Sequence, residues 1–353
     1  MVIGVPKEIK EEEYRVGLTP DSVKYLVDKG NTVIVESKAG AGAGFDDEDY
    51  EKAGGKIVDT AEEVYSEADM IVKVKEPQDK EIPLLKEGQI IFTFFHFSAN
   101  PEMTEKLLER KVICVAYELV EEDGVLKILQ PMSEIAGKLS IQQGMKYLEK
   151  EYGGKGILLS GAEGTRKGRV LIIGGGNVGY NAGKIALGIG SEVTILEINE
   201  ERIKFLKENL PGAEVLFSTE EKIKELIRKA DVVVGAVLIP GKRTPIIIKE
   251  NDLELMENGS VIVDVSIDEG GISETSHPTT HRNPIFIHKG IVHYCVPNIP
   301  GVVPKTSTVA LNYVTLRYVD ILSQNGEKSF KEFEPLKKGL ALYKGEIVNE
   351  RLK

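Results

Sequence analysis

The sequence predicts an α/β fold built from two doubly wound domains, and three observations lead there. The chain has 353 residues, and at about 150 residues per domain two domains are the natural division. Short apolar, β-branched runs alternate with helix-like stretches along most of the chain, the pattern of βα units around a parallel sheet. The run 170–173, Val-Leu-Ile-Ile, is apolar at every position, as a strand covered by helices on both faces has to be.

Composition narrows the class. Hydrophobic residues make up 41% and charged residues 29%, which suits a soluble globular enzyme and is too apolar for disorder. The formal charge is 45 minus 56, or -11. Nucleic-acid binding needs clustered Lys and Arg, so no nucleic-acid partner is expected. The two cysteines, Cys114 and Cys295, are too few for a disulfide framework or a zinc site of their own. A reducing, cytoplasmic compartment fits them. The start, Met-Val-Ile-Gly-Val-Pro-Lys-Glu, has neither the basic nor the apolar region of a secretory signal. The longest apolar runs, such as 232–240, fall far short of the ~20 residues of a membrane span. No membrane partner is expected.

The elements follow in order. Val2–Val5 is an apolar strand. A helix over 20–29 stops at Gly30 and leads into the β-branched strand Thr32–Glu36. A glycine-rich loop covers 40–44, a helix 48–53 and a strand Lys56–Val58. Further strands are expected at 70–74 and 90–95, the latter rich in aromatic and β-branched residues. Asn100 and Pro101 open a helix to about Arg110, with Asn as the cap and Pro at the first helical position. A strand at 112–117 precedes a long amphipathic helix over 133–152, which Ser133 is expected to cap and Gly153-Gly154 to stop. Then come strands at 170–173, 192–196, 215–217, 231–237 and 261–265, with helices at 177–187, 200–208 and 220–229 between the earlier ones. The strand 291–296 precedes Pro297, Pro300 and Pro304, and a helix spans 307–324. The last residues are charged and carry no clear pattern.

The strongest local motif is Gly174-Gly175-Gly176-Asn177-Val178-Gly179. It matches GxGxxG at Gly174, Gly176 and Gly179. Alone the pattern is weak in a chain with 36 glycines, but here it follows an apolar strand directly and opens a helix. In that setting Gly174 makes the tight turn, Gly176 lets a pyrophosphate approach the backbone, and Gly179 lets helix and strand pack closely. The free N–H groups at the helix start, on Asn177 and Val178, favour phosphate oxygens. An acidic residue is expected about 20 residues on, at the end of the second strand. Glu197 stands there. A carboxylate in this place accepts from ribose hydroxyls and repels a 2′-phosphate, which favours NAD over NADP; Arg202 nearby works against that preference. The other reading is an ordinary turn followed by a solvated Glu. There is no P-loop, because Gly183-Lys184 is followed by Ile185.

Hydride transfer asks the protein mainly to position the substrate and to manage a proton. Arg15 sits in the segment Tyr-Arg-Val-Gly-Leu-Thr-Pro, and a guanidinium matches a carboxylate with two parallel bonds. The alternative is a surface arginine in a charged stretch. Lys75 ends the run Ile71-Val-Lys-Val-Lys just before Glu76-Pro77, and a cation at a strand end often faces a cleft. Equally, Lys73 and Lys75 could share a solvent face of a half-buried strand. His96 closes the apolar run Ile91-Phe-Thr-Phe-Phe-His. It is either a general acid–base group or a satisfied core histidine. Asp268 follows the strand 261–265 at the carboxyl end, where ligands bind in such sheets, but Asp beside Gly270-Gly271 is also an ordinary turn residue. His277 and His281 have the i, i+4 spacing of a metal pair, but Pro278 between them argues against a helix interior, and no metal site is expected. His288, His293 and Cys295 read as structural.

Taken together the residues resemble the NAD-dependent alanine dehydrogenases, from Met1 to about Tyr318. The matching segments are Gly4-Val-Pro-Lys-Glu8, Arg15-Val-Gly-Leu-Thr-Pro20, Lys73-Val-Lys-Glu-Pro77, Thr93-Phe-Phe-His96, Ala116-Tyr-Glu118, Pro131-Met-Ser-Glu-Ile-Ala-Gly137 and the glycine turn. They continue with Gly235-Ala-Val-Leu-Ile-Pro240, Val263-Asp-Val-Ser-Ile-Asp268, Pro278-Thr-Thr280, His293-Tyr-Cys-Val-Pro-Asn298 and Pro304-Lys-Thr-Ser-Thr308. The resemblance implies a Rossmann domain for NAD, over 131–304, inserted into a substrate domain formed by 1–130 and 305–353, with the active site in the cleft between them. It implies that Arg15 and Lys75 hold the substrate, that Lys75, His96 and Asp268 are catalytic, and that Ser133, Glu197, Arg202, Ser218, Leu238 and Asn298 join the glycine turn in the cofactor site. The implied reaction is the reversible conversion of L-alanine to pyruvate and ammonium, by a cytoplasmic homohexamer. Two departures stand out. Glu197 replaces the family's usual Asp, and Phe94-Phe95-His96-Phe97 is more aromatic than is common. Saccharopine dehydrogenases share the architecture, but the segments 131–137 and 304–308 favour alanine dehydrogenases. The nucleotide-binding subunit of a proton-translocating transhydrogenase also shares it, but is not expected to keep Lys75, His96 and Asp268 together. A non-catalytic NAD-binding protein would not need Arg15, Lys75, His96 and Asp268 together.

Overall fold

A computed structural model of the chain describes residues 1–239 and 243–352. They form two compact units, Met1–Met132 with Gly301–Lys353, and Ser133–Pro300. Among the described residues no helix is long and apolar enough to cross a membrane. The architecture is the expected α/β one, with a mixed, largely parallel sheet in each unit.

The first unit is built on an eight-stranded sheet. Its order is Glu346–Ile347, Leu340–Tyr343, Ile113–Ala116, Ile90–Thr93, Met70–Val72, Val2–Val5, Thr32–Glu36 and Lys56–Val58. The six strands from Ile113–Ala116 to Lys56–Val58 run parallel. Their central members are buried at every position, which is why they read as unbroken apolar runs. The helix Pro20–Asp28 starts where Thr19 accepts a hydrogen bond from the Ser22 N–H and Pro20 supplies a preset φ.

Several expectations change here. The strand expected over 70–74 ends at Val72, and Lys73 is fully buried rather than on a solvent face. Asn100 stands at the N-cap position of Pro101–Glu109 but makes no capping bond; its amide donates to the His96 carbonyl instead. A helix at Ala61–Glu67 was not anticipated, although Thr60 and Glu63 form a capping box there. The charged C-terminal stretch also folds. Leu340–Tyr343 adds antiparallel to Ile113–Ala116.

The second unit carries a seven-stranded sheet in the order Glu214–Phe217, Glu192–Glu197, Arg169–Ile173, Val232–Gly235, Val261–Asp264, Ile291–Tyr294 and Ile285–His288. The first six are parallel and follow the Rossmann order 3-2-1-4-5-6. The edge strand Ile285–His288 is antiparallel, so the sheet is not the wholly parallel one expected. The strand order reverses between Arg169–Ile173 and Val232–Gly235, which is where such sheets open a crevice at the strands' carboxyl ends.

The long helix runs over Leu129–Tyr147 and not 133–152. Pro131 falls in its first turn, where the N–H has no helical acceptor to lose, so it does not delay the start. Ser133 therefore lies inside the helix and is not its cap. The residues Lys150–Tyr152 form a separate 3-10 turn.

Candidate active site

In the second unit the glycine turn has the geometry its sequence promised. Gly174 has φ of 100°, and a side chain there would bring Cβ to 2.4 Å from the Ala236 carbonyl oxygen. At Gly179 a Cβ would lie 1.9 Å from the Gly174 carbonyl oxygen. Gly176 differs from both, because a Cβ there would meet nothing within 4 Å. It caps the helix Asn177–Gly188 with no side-chain bond, so open space faces the first N–H groups, those of Asn177, Val178 and Gly179. That arrangement suits a pyrophosphate, and the turn fits a bound dinucleotide.

Glu197 and Arg202 hold this turn from both sides. The Glu197 carboxylate accepts from the N–H groups of Gly175 (2.8 Å), Ile198 (2.7 Å) and Asn199 (3.0 Å). Arg202 donates to the carbonyls of Gly175 (2.6 Å) and Gly176 (3.2 Å) and lies 4.4 Å from the Phe205 ring centre. Burial pulls its guanidinium below the ordinary arginine value, against the opposing pull of Glu197. The sequence marked Glu197 for the cofactor's ribose and Arg202 for the cofactor site; it gave no sign that they also brace the loop.

The other expected cofactor residues lie mostly beyond neighbouring strand ends. The Ser218 N–H donates to the Glu197 carbonyl at 2.9 Å. Leu238 follows Val232–Gly235 and is 51% exposed; Pro240, in the same segment, lies outside the described residues. Asp268 sits in the 3-10 turn Val265–Glu269 and accepts from the N–H of Asn298 at 3.3 Å, whose φ is 57°. Beneath that turn Asp264 is fully buried. It accepts from Ile272 N–H (2.8 Å), Ser266 N–H (3.2 Å) and the Ser276 hydroxyl (2.7 Å). Burial still pushes its carboxyl above the ordinary range.

In the first unit the candidate cations are framed by carboxylates. Arg15 is buried and gripped by Glu13, with Nε 2.7 Å from Oε1 and Nη2 2.5 Å from Oε2. Its Nη1 lies 3.2 Å from the Met132 sulfur. Burial opposes ionisation of Glu13, but Arg15, with a smaller pull from Lys75, holds its carboxyl down at about 2. Lys75 is buried. Its N–H and that of Val74 lie past the strand end, and both donate to Glu8, at 3.4 and 2.6 Å. Its carbonyl accepts from Thr93. Glu8 in turn shares the buried Lys73 ammonium with Glu81, at 3.2 and 2.6 Å. Burial alone would lower that ammonium, but the two carboxylates push it up to about 12. Glu8 itself is raised by burial.

His96 is 35% exposed, so it is not a core histidine. Its φ is 52°, a left-handed conformation uncommon outside glycine. Glu118 holds it there by accepting from the N–H groups of His96 (2.7 Å) and Phe95 (3.1 Å). The ring stacks on Phe94, centres 5.9 Å apart, and Nδ1 lies 3.6 Å from Glu76 Oε2. Lys10 binds the other oxygen of Glu76.

The remaining histidines belong to the second unit. His277 stacks on Phe286 (3.9 Å), which stacks on His293 (4.7 Å). Glu8, Glu13, Glu76, Glu118 and Asp264 were not singled out from the sequence. Four of them lie in the matching segments and Glu13 lies two residues from one; only their surroundings in the fold distinguish them from ordinary acids.

Family models cover nearly the whole chain. Residues 4–136 match the model described as alanine dehydrogenase/PNT, N-terminal domain, and residues 140–350 match alanine dehydrogenase/PNT, C-terminal domain. Alanine dehydrogenase 2 of Staphylococcus aureus (strain USA300) is 48% identical over 354 residues, 99% of this chain and 95% of the relative. Alanine dehydrogenase of Staphylococcus epidermidis is 47% identical over 356 residues, 100% and 96% of the two chains. A solved L-alanine dehydrogenase superposes with a TM-score of 0.96 at 46% identity, covering 100% and 98%. A transhydrogenase from Sinorhizobium meliloti shares the fold, with a TM-score of 0.86 at 23% identity, covering 99% and 100%.

Proposed function

The chain belongs to the alanine dehydrogenase family, and from that premise we propose how its own residues carry out the reversible, NAD-dependent deamination of L-alanine to pyruvate and ammonium. The observation that supports the assignment most is the buried fork of Arg15 on Glu13, with a second buried cation, Lys75, in the same unit. Glu13 fixes the guanidinium in one orientation, so Arg15 meets a substrate carboxylate as a pre-set donor surface. Lys75 holds the substrate's carboxylate and, in the pyruvate direction, its carbonyl oxygen, from a backbone locked by Glu8 and Thr93.

The glycine turn, with Asn177 and Val178, would hold NAD, which would supply the hydride acceptor for the substrate's α-hydrogen. The amine must be neutral for this to happen, and the product is an imine. His96 and Asp268 then manage protons. One of them takes a proton from the water that adds to the imine carbon, and the resulting carbinolamine loses ammonia as its C–N bond breaks. The reverse sequence serves reductive amination. Ser133, Asn177, Val178, Glu197, Arg202, Ser218, Leu238 and Asn298 are assigned to cofactor binding, with Glu197 on the ribose.

The cytoplasm is the proposed compartment, since Cys114 and Cys295 are both buried free thiols, the state that a reducing environment maintains. A homohexamer is proposed as the assembly; Tyr313, 88% exposed on the helix Pro304–Asn325, offers apolar surface for it. The residue assignment is tested with Lys75→Ala. Its turnover of L-alanine should fall by orders of magnitude while NADH binding is kept. Near-parental turnover would show that Lys75 is not in the site.

A further inference from the structure

A buried carboxylate, that of Glu76, stands beside the His96 imidazole. Glu76 stands just past the strand Met70–Val72, with its side chain 7% exposed. Its two oxygens are not equivalent. Oε1 is tied to the Lys10 ammonium. Oε2 is buried and has no hydrogen-bond partner, and Nδ1 of His96 stands 3.6 Å from it. This oxygen is aimed at the ring and stops just short of a hydrogen bond. Catalytic contacts are often long before substrate is bound and close in the complex.

The main chain around His96 is prepared for one ring position. Its left-handed backbone persists only where the surroundings impose it, and here Glu118 takes the N–H groups of both Phe95 and His96. The His96 carbonyl accepts from the Asn100 amide, and Phe94 stacks on the ring. Glu76 faces the ring, with Lys10 behind it, while Glu118 is occupied by the backbone. Burial opposes ionisation of Glu76, yet His96 and Lys10 hold it at about 2, so it faces the ring as a carboxylate.

We propose that Glu76 is the positioning residue for His96, accepting from Nδ1 and so fixing the tautomer that leaves Nε2 to exchange protons with substrate and water. A carboxylate only accepts. The nitrogen facing it must therefore carry the hydrogen, and the lone pair of the neutral ring is directed away, at Nε2. Lys10 acts on the far oxygen and keeps Glu76 from turning away. This rests on the acid–base assignment of His96 in the preceding subsection, to which it adds the atom that works and the residue that selects it.

The test uses the full chain with 15N-labelled histidine, the His96 signal being identified by its loss in His96→Gln. In the parent, long-range 1H–15N correlations should show the Nδ1–H tautomer. In Glu76→Leu that signature should give way to the Nε2–H form or a mixture, and kcat for L-alanine should fall about 100-fold or more, the scale of a lost general acid–base group. KM for L-alanine and NADH binding should stay near parental. Glu76→Gln, which folds with the same shape and still offers a carbonyl oxygen to Nδ1–H, should lie between the two. A Glu76→Leu or Glu76→Gln protein with parental kcat, or a fall in kcat with the Nδ1–H signature intact in Glu76→Leu, would overturn the proposal. His96→Gln separates the two levels. If it retains turnover, the acid–base assignment fails; if it is inactive while both Glu76 variants match the parent, only the positioning role fails.

Discussion

Glu13 and Arg15 form a buried fork, with Nε 2.7 Å from one carboxylate oxygen and Nη2 2.5 Å from the other. The Arg15 main-chain N–H adds a third bond to the same carboxylate at 3.0 Å. A long, flexible side chain is thereby reduced to one orientation, which is what recognition of a planar carboxylate requires.

Glu13→Gln keeps the shape of the fork and removes its charge. A charge-assisted hydrogen bond contributes ~1.5–3 kcal/mol, so KM for L-alanine should rise roughly 10- to 100-fold, with NADH affinity unchanged. Steady-state kinetics and NADH fluorescence titration check this. A KM within a factor of two of the parent would remove Glu13 from the substrate site.

Asp264 organises the turn that carries Asp268, because it is the acceptor for Ile272 N–H, Ser266 N–H and Ser276. Asp264→Ala leaves two buried N–H groups without that acceptor, at ~1–3 kcal/mol each. The expected result is a lower Tm, together with faster hydrogen exchange over 265–276 and reduced kcat. Unchanged exchange in that segment would show that the turn is held by other contacts.

Glu197→Ala removes the proposed ribose acceptor and one brace of the glycine turn together. KM for NAD should rise, and discrimination against NADP should weaken because the charge that repels a 2′-phosphate is gone. The ratio of kcat/KM for the two cofactors reports this. If that ratio does not move, the ribose assignment of Glu197 is wrong.

His293 gives a pH dependence of stability. Burial lowers its imidazole from the ordinary 6.5 to about 4; its Nε2 is 2.9 Å from the Thr275 hydroxyl, and its Nδ1 is 3.1 Å from the Ile291 carbonyl. A group with a depressed folded-state value stabilises fully above its unfolded value, and that contribution is lost as pH falls through the folded one. The protein should therefore lose stability between pH 6.5 and 4, with this group contributing up to about 1.4 kcal/mol per pH unit. Urea titrations across this range should show a shallower slope for His293→Gln. Equal slopes in the two proteins would exclude His293 as a source.

Much of the fold was legible because its signals are local. An apolar run such as 170–173 announces a covered parallel strand, and the glycines at 174, 176 and 179 announce the turn that follows it. The boundaries that slipped did so for local reasons too. The helix start was expected after Pro131, but Pro131 sits in the first turn, and the run through Val74 looked like a continuous strand although the Val74 and Lys75 N–H groups pair with Glu8. The antiparallel additions, Leu340–Tyr343 and Ile285–His288, are short edge elements whose strength comes from the sheet they join.

The candidate site divides along the same line. Arg15, Lys75, His96, Asp268 and the glycine turn stand out by residue type, spacing and resemblance. Their partners do not: Lys10 meets Glu76 across 66 positions, and Glu8 meets Val74 across 66 as well. By itself the sequence determined where apolar strands, helices and the cofactor turn would form, since each depends on a few adjacent residues. Only the tertiary structure decided which charges are buried and against what, because the energy of a buried charge depends on neighbours brought from distant parts of the chain. That is why Lys73 is a buried partner of Glu8 and Glu81, while Arg15 is a fixed fork and His96 has a carboxylate on one side of its ring.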